Sequence, residues 1–494
     1  MFLENKQQWG SRFGFILAAV GSAIGLGNIW RFPYMVYENG GGAFLIPYFV
    51  ALLTAGIPIM IMEFSLGHKS RAGAPLSFSQ LNKKWEWLGW WQTGISAAIA
   101  VYYVAVVGWS FSYMGFALTN AWGSDPADFF LNDYLAITSG PFEMGSIQIG
   151  IFITILFAWF LNFLASYGGV HKGLERANKV LMPVLIVMLL VIVVRAVSLP
   201  GAAQGLELLF KPDFSRILDP TVWIAAYGQI FFSLSIAFAI MLTYSSYLPK
   251  KSDIVNNAFM TALLNCGFSM LAGIAIFSII GFMQFQAGGT LPEKMAGVFL
   301  AFVTLPSAVS QLPALNTLIG VLLFLTLAFA GLSSFISINE VVVRSIVDKF
   351  GFARKKVSIY YTLIAGAVSM VFATGAGLHI LDLVDHYINN YGIVFAGLIE
   401  VILLGWFYDL SSLREHANLT SDFKVGKWWD IMIKFVTPLV LGINSVLNLI
   451  TDLKSNYSGY STAAQIVFGW GLIAVLIAVA VIAAKSKWHD AEAI

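Results

Sequence analysis

The stretch Gly21-Ser22-Ala23-Ile24-Gly25-Leu26-Gly27-Asn28-Ile29-Trp30-Arg31-Phe32-Pro33 sets three glycines, an asparagine, an arginine and a proline inside the first apolar run long enough to cross a bilayer. In hydrocarbon each unpaired backbone amide or carbonyl costs several kcal/mol. A helix broken at that depth therefore persists only where protein, water or a bound solute takes up the freed groups. The segment predicts a binding site near the bilayer midplane.

Hydrophobic residues fill 58% of the 494 positions and charged residues 11%, and apolar runs of membrane length recur along the chain. The pattern predicts an all-α integral membrane protein of about twelve transmembrane helices, the first over 12–37 and the sixth over 222–248. Apolar stretches around 290–313, interrupted by Pro292, Pro306 and Pro313, read as a helical hairpin folded over one face. Basic residues sort to one side: Lys6 and Arg12, Lys69 and Arg71, Lys83 and Lys84, Lys172 and Arg176, Lys250 and Lys251, Lys349 and Arg354. The connection from about 122 to 146 carries Asp125, Asp128, Asp133 and Glu143 with no Lys or Arg, so both termini are expected in the cytoplasm. The first run is too long for a signal peptide and lacks a small-residue cleavage site.

Several function classes fall away on composition. A net charge of +2 gives no footing for nucleic acid. The single cysteine, Cys266, lies in an apolar span and leaves no internal disulfide. All six histidines fall at span ends or in loops, so neither a Ser-His dyad nor a metal cluster can be set at membrane depth, which argues against an intramembrane enzyme. A channel would call for charge rings or repeated pore carbonyls. No obligate protein partner is evident; the expected partners are the lipid bilayer and a small solute.

A second interruption lies in the sixth span, where Gln229-Ile230-Phe231-Phe232-Ser233-Leu234-Ser235 places an amide and two hydroxyls mid-run. Such hydroxyls can simply bond their own backbone one turn back. Opposite a glycine-rich break, five spans earlier, they instead match the two broken helices of an inverted-repeat transporter, with its site between the halves.

Five motifs in order, GSAIGLGNIWRFPY, ENGGGAFLIPY from Glu38, GQIFFSLS from Gly228, Leu264-Asn265 and AGLSS from Ala330, make the chain resemble the neurotransmitter:sodium symporter family, the solute carriers with the LeuT fold. The resemblance implies a 5+5 inverted repeat: 1–198 as the first half, 199–410 as the second with the outer hairpin, and 411–494 as two added spans. It also implies two sodium sites. The first uses Ala23, Asn28, Ser233 and Asn265 with the substrate carboxylate; the second uses Gly21, Ile24, Ala330, Ser333 and Ser334. On the residues alone, Asn28 and Asn265 could equally be a helix-to-helix hydrogen bond.

By the same resemblance the substrate is held by Ser22, Ala23, Gly25, Leu26, Gly27, Tyr103, Ser233 and Ser235, in a compartment lined by Ile99, Phe232, Ala237, Phe238, Ser334 and Ile338. Tyr102-Tyr103 could also be an ordinary aromatic pair. Amine carriers of the family place an aspartate where this chain has Gly25, so a zwitterionic neutral amino acid is expected. Ala237 stands where many relatives have glycine, and its methyl is expected to restrict the compartment to small or medium aliphatic side chains.

Chloride-independent relatives carry a glutamate at the place of Ser269. With Tyr48, Gln229 and Ser233 as further neutral donors, one chloride site is expected; the alternatives are a chloride-independent symporter or a transporter-like sensor without flux. The outer gate is expected to pair Arg31 with Asp385, or with Asp382 one turn away, above Phe232. The inner gate would join Lys6 and Trp9 to Tyr247 and Asp348, although Lys6 also reads as a basic anchor. Gly173 and Pro183 match a motif where the fifth span unwinds beside the second sodium site. Glu63, Glu340 and Glu400, buried by depth, are expected to brace the broken helices. The short outer loop after span three, without the cysteine pair of animal members, points to a bacterial inner membrane.

Overall fold

The computed structural model describes residues 7–291 and 296–489, so Lys6 and Pro292 lie outside the described residues. The described chain is helical from end to end, with no strand and only two isolated backbone bridges. In chain order the principal helices are α1 (Arg12–Ala23), α2 (Leu26–Glu38), α3 (Gly42–Ser70), α4 (Lys83–Ala117), α5 (Ile149–Tyr167), α6 (Val170–Val197), α7 (Pro220–Ser233), α8 (Ile240–Ser245), α9 (Ile254–Gln286), α10 (Asn316–Phe350), α11 (Arg354–Ala373), α12 (Gly377–Phe407), α13 (Lys427–Gly459) and α14 (Thr462–Lys485). Ten of these are long and apolar enough to cross a membrane, and the bent pair α1 and α2 makes an eleventh crossing. The pair α7 (14 residues) and α8 (6 residues) lies where the sequence predicts the sixth crossing.

Both interruptions have local causes. After Ala23 the backbone turns extended at Ile24 (φ −73°, ψ 103°) and Gly25 (φ −128°, ψ −169°), and α2 leaves at 54° to α1. Asn28 closes the start of α2, because its side-chain oxygen accepts the Gly25 N–H at 2.9 Å. Between α7 and α8, three non-glycine residues adopt left-handed backbone: Ser235 (φ 53°), Ala237 (φ 72°) and Ala239 (φ 69°). Each costs about 1–2 kcal/mol against a right-handed alternative, so neighbouring groups must hold them. Glu63 accepts the Ala237 N–H at 2.6 Å, Ser96 donates to the Phe238 carbonyl at 2.8 Å, and Ser235 donates to the Ser22 carbonyl at 2.9 Å.

Helices α9 and α10 are the most enclosed of the long helices, while α13 and α14 present mostly exposed apolar side chains. Close packing relies on small residues, as it does between helices in lipid. Gly67 of α3 lies directly against the Leu242 carbonyl of α8, where any side chain would collide with backbone. Where a hairpin was expected around 290–313, the described residues form a single helix, Gly297–Ser310. A wide turn over Leu300–Thr304 precedes Pro306, and the helix runs on through the proline.

Both ends of the described chain lie on one face of the bundle, called here the terminal face. Trp9 donates its backbone N–H to the Tyr247 carbonyl (3.1 Å) and its indole N–H to the Tyr244 carbonyl (2.8 Å). At the other end of the described chain, Trp488 donates to Glu86 (2.9 Å) and lies 4.2 Å from the Lys349 ammonium, roofing a buried Lys349–Glu86 pair. The three-membered cluster of Tyr247, Glu340 and Arg354 joins the segment after α8 to α10 and α11 at the same face, Glu340 accepting from Tyr247 at 2.5 Å and from Arg354 at 2.7 Å.

Candidate functional site

The two breaks face each other, and hydroxyls bridge them. The Ser22 carbonyl, freed by the end of α1, accepts from Ser235 (2.9 Å) and from Ser334 of α10 (3.1 Å). Ser334 also reaches the Ile24 carbonyl at 3.2 Å, and Ser337 donates to the Ser22 hydroxyl at 2.7 Å. Carbonyls that would be orphaned in a continuous apolar core are thus gathered with hydroxyl oxygens from the second break and from α10.

The residues expected at the first sodium site form a chain: Asn28 donates to the Asn265 oxygen (2.8 Å), and Asn265 donates to Ser233 (3.2 Å), with Ala23 buried at the end of α1. Those expected at the second site also gather. Ser333 donates to the Ala330 carbonyl (2.9 Å), Ser334 to Ile24 (3.2 Å), and Gly21 is enclosed by Asn178 and Met182 of α6. All donors in both groups are uncharged oxygens, the chemistry that suits a hard monovalent cation in a dry site.

Tyr48, Gln229, Ser233 and Ser269 converge beside the asparagine chain. Asn28 donates to the Ser269 hydroxyl at 2.8 Å, and the Tyr48 hydroxyl, which donates to Cys266 Sγ at 3.2 Å, faces Ser233 and Ser269. Gln229 is fully buried with both amide atoms lacking a protein partner among the described residues. A buried, unsatisfied amide is costly, and Gln229 lies one helical turn before Ser233 on α7.

The Tyr103 hydroxyl faces the Leu26 amide and the Ser334 hydroxyl at the start of α2. A side chain at Gly25 would approach Ser334 Oγ to 3.1 Å and the Tyr103 hydroxyl to 3.3 Å, so glycine keeps this corner open for a ligand group. Phe232 closes the space above Gly27, where any added Cβ would strike its ring. Ile99, Phe238 and Ile338, expected to line the compartment, are buried. The Ala237 methyl lies beside Gly397 of α12, where a Cβ added to the glycine would meet it at 2.7 Å.

Of the residues expected to gate, Arg31 lies with its guanidinium carbon 4.4 Å from the centre of the Phe232 ring. Asp385 is the carboxylate that senses Arg31, but its own bonds go to Tyr102 (2.7 Å) and Asn389 (2.8 Å), while Asp382 accepts from Tyr457 (2.9 Å). Adjacent tyrosines therefore divide the work, Tyr102 toward the outer carboxylate and Tyr103 toward the break. At the terminal face Asp348 pairs with Arg344 (2.9 Å) and caps the Gly73 N–H (2.7 Å), and Arg344 stacks on Tyr247 at 5.0 Å. Lys6, expected opposite Asp348, lies outside the described residues. Tyr391 and Asp452, which bond each other across α12 and α13, escaped the sequence reading. The cue for Asp452 was a carboxylate at the end of an apolar run.

Glu63 and Glu400 flank the second break from α3 and α12, Glu400 accepting from Gln92 of α4 at 2.7 Å. Their bonds hold backbone and scaffold, as a bracing role requires.

Comparison with known proteins agrees with this geometry. A model of the sodium:neurotransmitter symporter family matches residues 6–124 and 119–491. The chain is 44% identical over 488 residues to an uncharacterised sodium-dependent transporter of Methanocaldococcus jannaschii, covering 99% of both. It is 29% identical over 515 residues to a sodium- and chloride-dependent taurine transporter of Canis lupus familiaris, covering 94% of this chain and 82% of that one. Among solved structures it is similar to MhsT in complex with L-phenylalanine, with a TM-score of 0.76 and 33% identity over 90% of this chain and all of that one. Two broken helices with bridged carbonyls, and these matches along nearly the whole chain, make one conclusion: the protein is a sodium-dependent transporter belonging to the sodium:neurotransmitter symporter family.

Proposed function

We propose that the protein moves a neutral amino acid together with two sodium ions and one chloride by alternating access. The observation that carries this reading is the corner formed by Gly25, the Leu26 amide and the Tyr103 hydroxyl, which offers donors to a carboxylate and contains no acidic side chain that would prefer an amine. The positive end of α2 adds to the attraction. The substrate ammonium then faces carbonyls of the two breaks, and its side chain enters the space of Ile99, Phe232, Phe238 and Ile338. The L-phenylalanine of the MhsT complex agrees in chemical class with a neutral, apolar substrate side chain.

Sodium at Ala23, Asn28, Ser233 and Asn265 would share the substrate carboxylate, so ion and substrate are ligands of each other and binding is coupled. Chloride beside Tyr48, Gln229, Ser233 and Ser269 offsets the positive charge in a medium of low dielectric, and the likeness to a sodium- and chloride-dependent taurine transporter points the same way. The two halves, 1–198 and 199–410, rock about this site, with Arg31, Phe232 and Asp385 closing one side and Trp9, Tyr247 and Asp348 the other. The basic terminal face is cytoplasmic, in a plasma membrane of bacterial inner-membrane type.

Uptake of labelled neutral amino acids into proteoliposomes tests the reading, with an inward sodium gradient and chloride present or replaced by gluconate. Uptake that needs both ions supports it. Sodium-driven uptake indifferent to chloride removes the anion site, and binding without uptake removes transport.

A further inference from the structure

Helix α13 is mostly exposed, yet near its end it buries one carboxylate: the Asp452 side chain is only 7% exposed. A single oxygen of that group, Oδ2, takes two bonds from α12, one from His386 Nε2 at 2.7 Å and one from the Tyr391 hydroxyl at 2.6 Å. The imidazole is fixed on its other sides as well. Tyr457, in the segment after α13, stacks on it with ring centres 3.6 Å apart, and donates its hydroxyl to Asp382 at 2.9 Å. Asn390 takes the Asn448 N–H on its oxygen (3.2 Å) and turns its own N–H to His386 Nδ1 (3.0 Å). That arrangement leaves Nε2 to carry the proton given to Asp452.

The two donors are five residues apart. In a regular α-helix such residues stand about 140° apart around the axis, too far round for one oxygen to accept both. Between them α12 opens into a wide turn, Ile388–Ile393, whose bonds span five residues and bring such positions close to one line. The pair of bonds to Asp452 is therefore made by the wide form of the turn and lost in the regular one. Asp385 lies three residues ahead of this turn and is tied into it by Asn389, which donates to its carbonyl at 2.9 Å and to its carboxylate at 2.8 Å. Tightening the turn to a regular helix would swing the part of α12 that carries Asp385 by about one residue's rotation, about 100°, relative to the part beyond. The bond from Tyr102 and the approach of Arg31 could not both survive that swing.

We propose that Asp452 is a positioning residue for the Arg31–Asp385 gate. By accepting His386 and Tyr391 at one oxygen it keeps α12 wide at Ile388–Ile393, and so sets the direction in which Asp385 meets Tyr102 and Arg31. A carboxylate on the eleventh crossing, outside the two repeated halves, thereby takes part in closing the pathway. The gate itself rests on the reading above; the bonds of Asp452 do not.

The test places a reporter thiol at Ile99, which is buried on α4 and lies nearer than Tyr102 to the Glu86 end, the terminal face. The native Cys266 is buried, so Ile99→Cys supplies the reactive thiol in the full-length protein. A membrane-impermeant maleimide is added to the opposite face of oriented vesicles in sodium-free buffer. Asp385→Asn should speed labelling at least three-fold; if it does not, the gate reading falls and the proposal with it. Given that response, Asp452→Ala should also speed labelling at least three-fold, and a smaller change overturns the role of Asp452 while leaving the gate. Added to Asp385→Asn, Asp452→Ala should contribute less than two-fold further, because it acts through Asp385; a larger contribution overturns the proposal. Asp452→Asn keeps an oxygen able to accept both bonds and should stay within two-fold of the Ile99→Cys parent, and any greater change counts against the two bonds as the cause. If Asp452→Ala fails to give monodisperse protein, Tyr391→Phe decides: at least two-fold faster labelling supports the role, and less overturns it.

Discussion

At the scale of single residues, the most decisive positions are small ones. Gly25 sits where one additional carbon already presses on Ser334 and Tyr103. Gly25→Asp would place a carboxylate in the corner that is proposed to receive the substrate's own. Amino acid uptake should fall at least ten-fold while the protein still elutes as a single folded species on gel filtration; unchanged uptake would contradict the carboxylate corner. Ser269 tests the anion in the opposite sense. It accepts from Asn28 at 2.8 Å and faces Tyr48, so a fixed carboxylate there would stand where chloride is proposed. Ser269→Glu should transport at similar rates in chloride and in gluconate, whereas persistent chloride dependence would place the anion elsewhere.

At the scale of elements, the second break is held from outside. Three left-handed residues without a glycine among them persist because Glu63, Ser96 and Ser22 fix the backbone between α7 and α8. The packing of Ala237 on Gly397 belongs to the same arrangement. Gly397→Ala would bring two methyl carbons to 2.7 Å, and overpacking of this kind costs about 1–3 kcal/mol. The displaced break should lower uptake about ten-fold. The double change Gly397→Ala with Ala237→Gly removes the collision and leaves the left-handed position to the residue that tolerates it best, so most of the uptake should return. A double variant no better than the single one would show that the methyl pair is not what positions the break.

This break also marks how far the sequence could be read. The first interruption was legible because the glycine-rich run and Asn28 disfavour a continuous apolar helix by their own local chemistry, and the structure puts the bend at Ile24 and Gly25, while Pro33 sits inside α2. The second was legible only as misplaced polarity at Gln229, Ser233 and Ser235. Its conformation depends on a carboxylate from α3, which no local pattern announces. For the same reason the contact of the Ala237 methyl with Gly397 could not be read from the sequence. Tyr102 and Tyr103 were indistinguishable as a pair, since only the rotation of α4 decides which ring reaches Asp385 and which reaches Leu26. The bonds of Asp452 reach back 66 positions to His386 and 61 to Tyr391, and nothing in either segment names the other.

At the scale of the whole molecule, the proposed stoichiometry has an electrical consequence. Two sodium ions, one chloride and a zwitterion carry one net positive charge, worth about 2.3 kcal/mol per 100 mV. Imposing 100 mV, negative inside, on proteoliposomes with equal sodium and chloride on both sides should then support accumulation of up to about fifty-fold. Accumulation that ignores the imposed potential would exclude this combination of ions.

The roof that Trp488 forms over Lys349 and Glu86 bears on how the molecule is made. Glu86 belongs to the third crossing and Lys349 to the eighth, yet their shelter is supplied by a residue translated after the last one. The terminal face consequently stays unfinished until the stretch beyond α14 has left the ribosome, with a charged pair waiting near the membrane surface for its cover. A ribosome that stalled or terminated after α14 would release a bundle with every crossing inserted and this corner open to water, a form that quality-control proteases could recognise by its loose end alone.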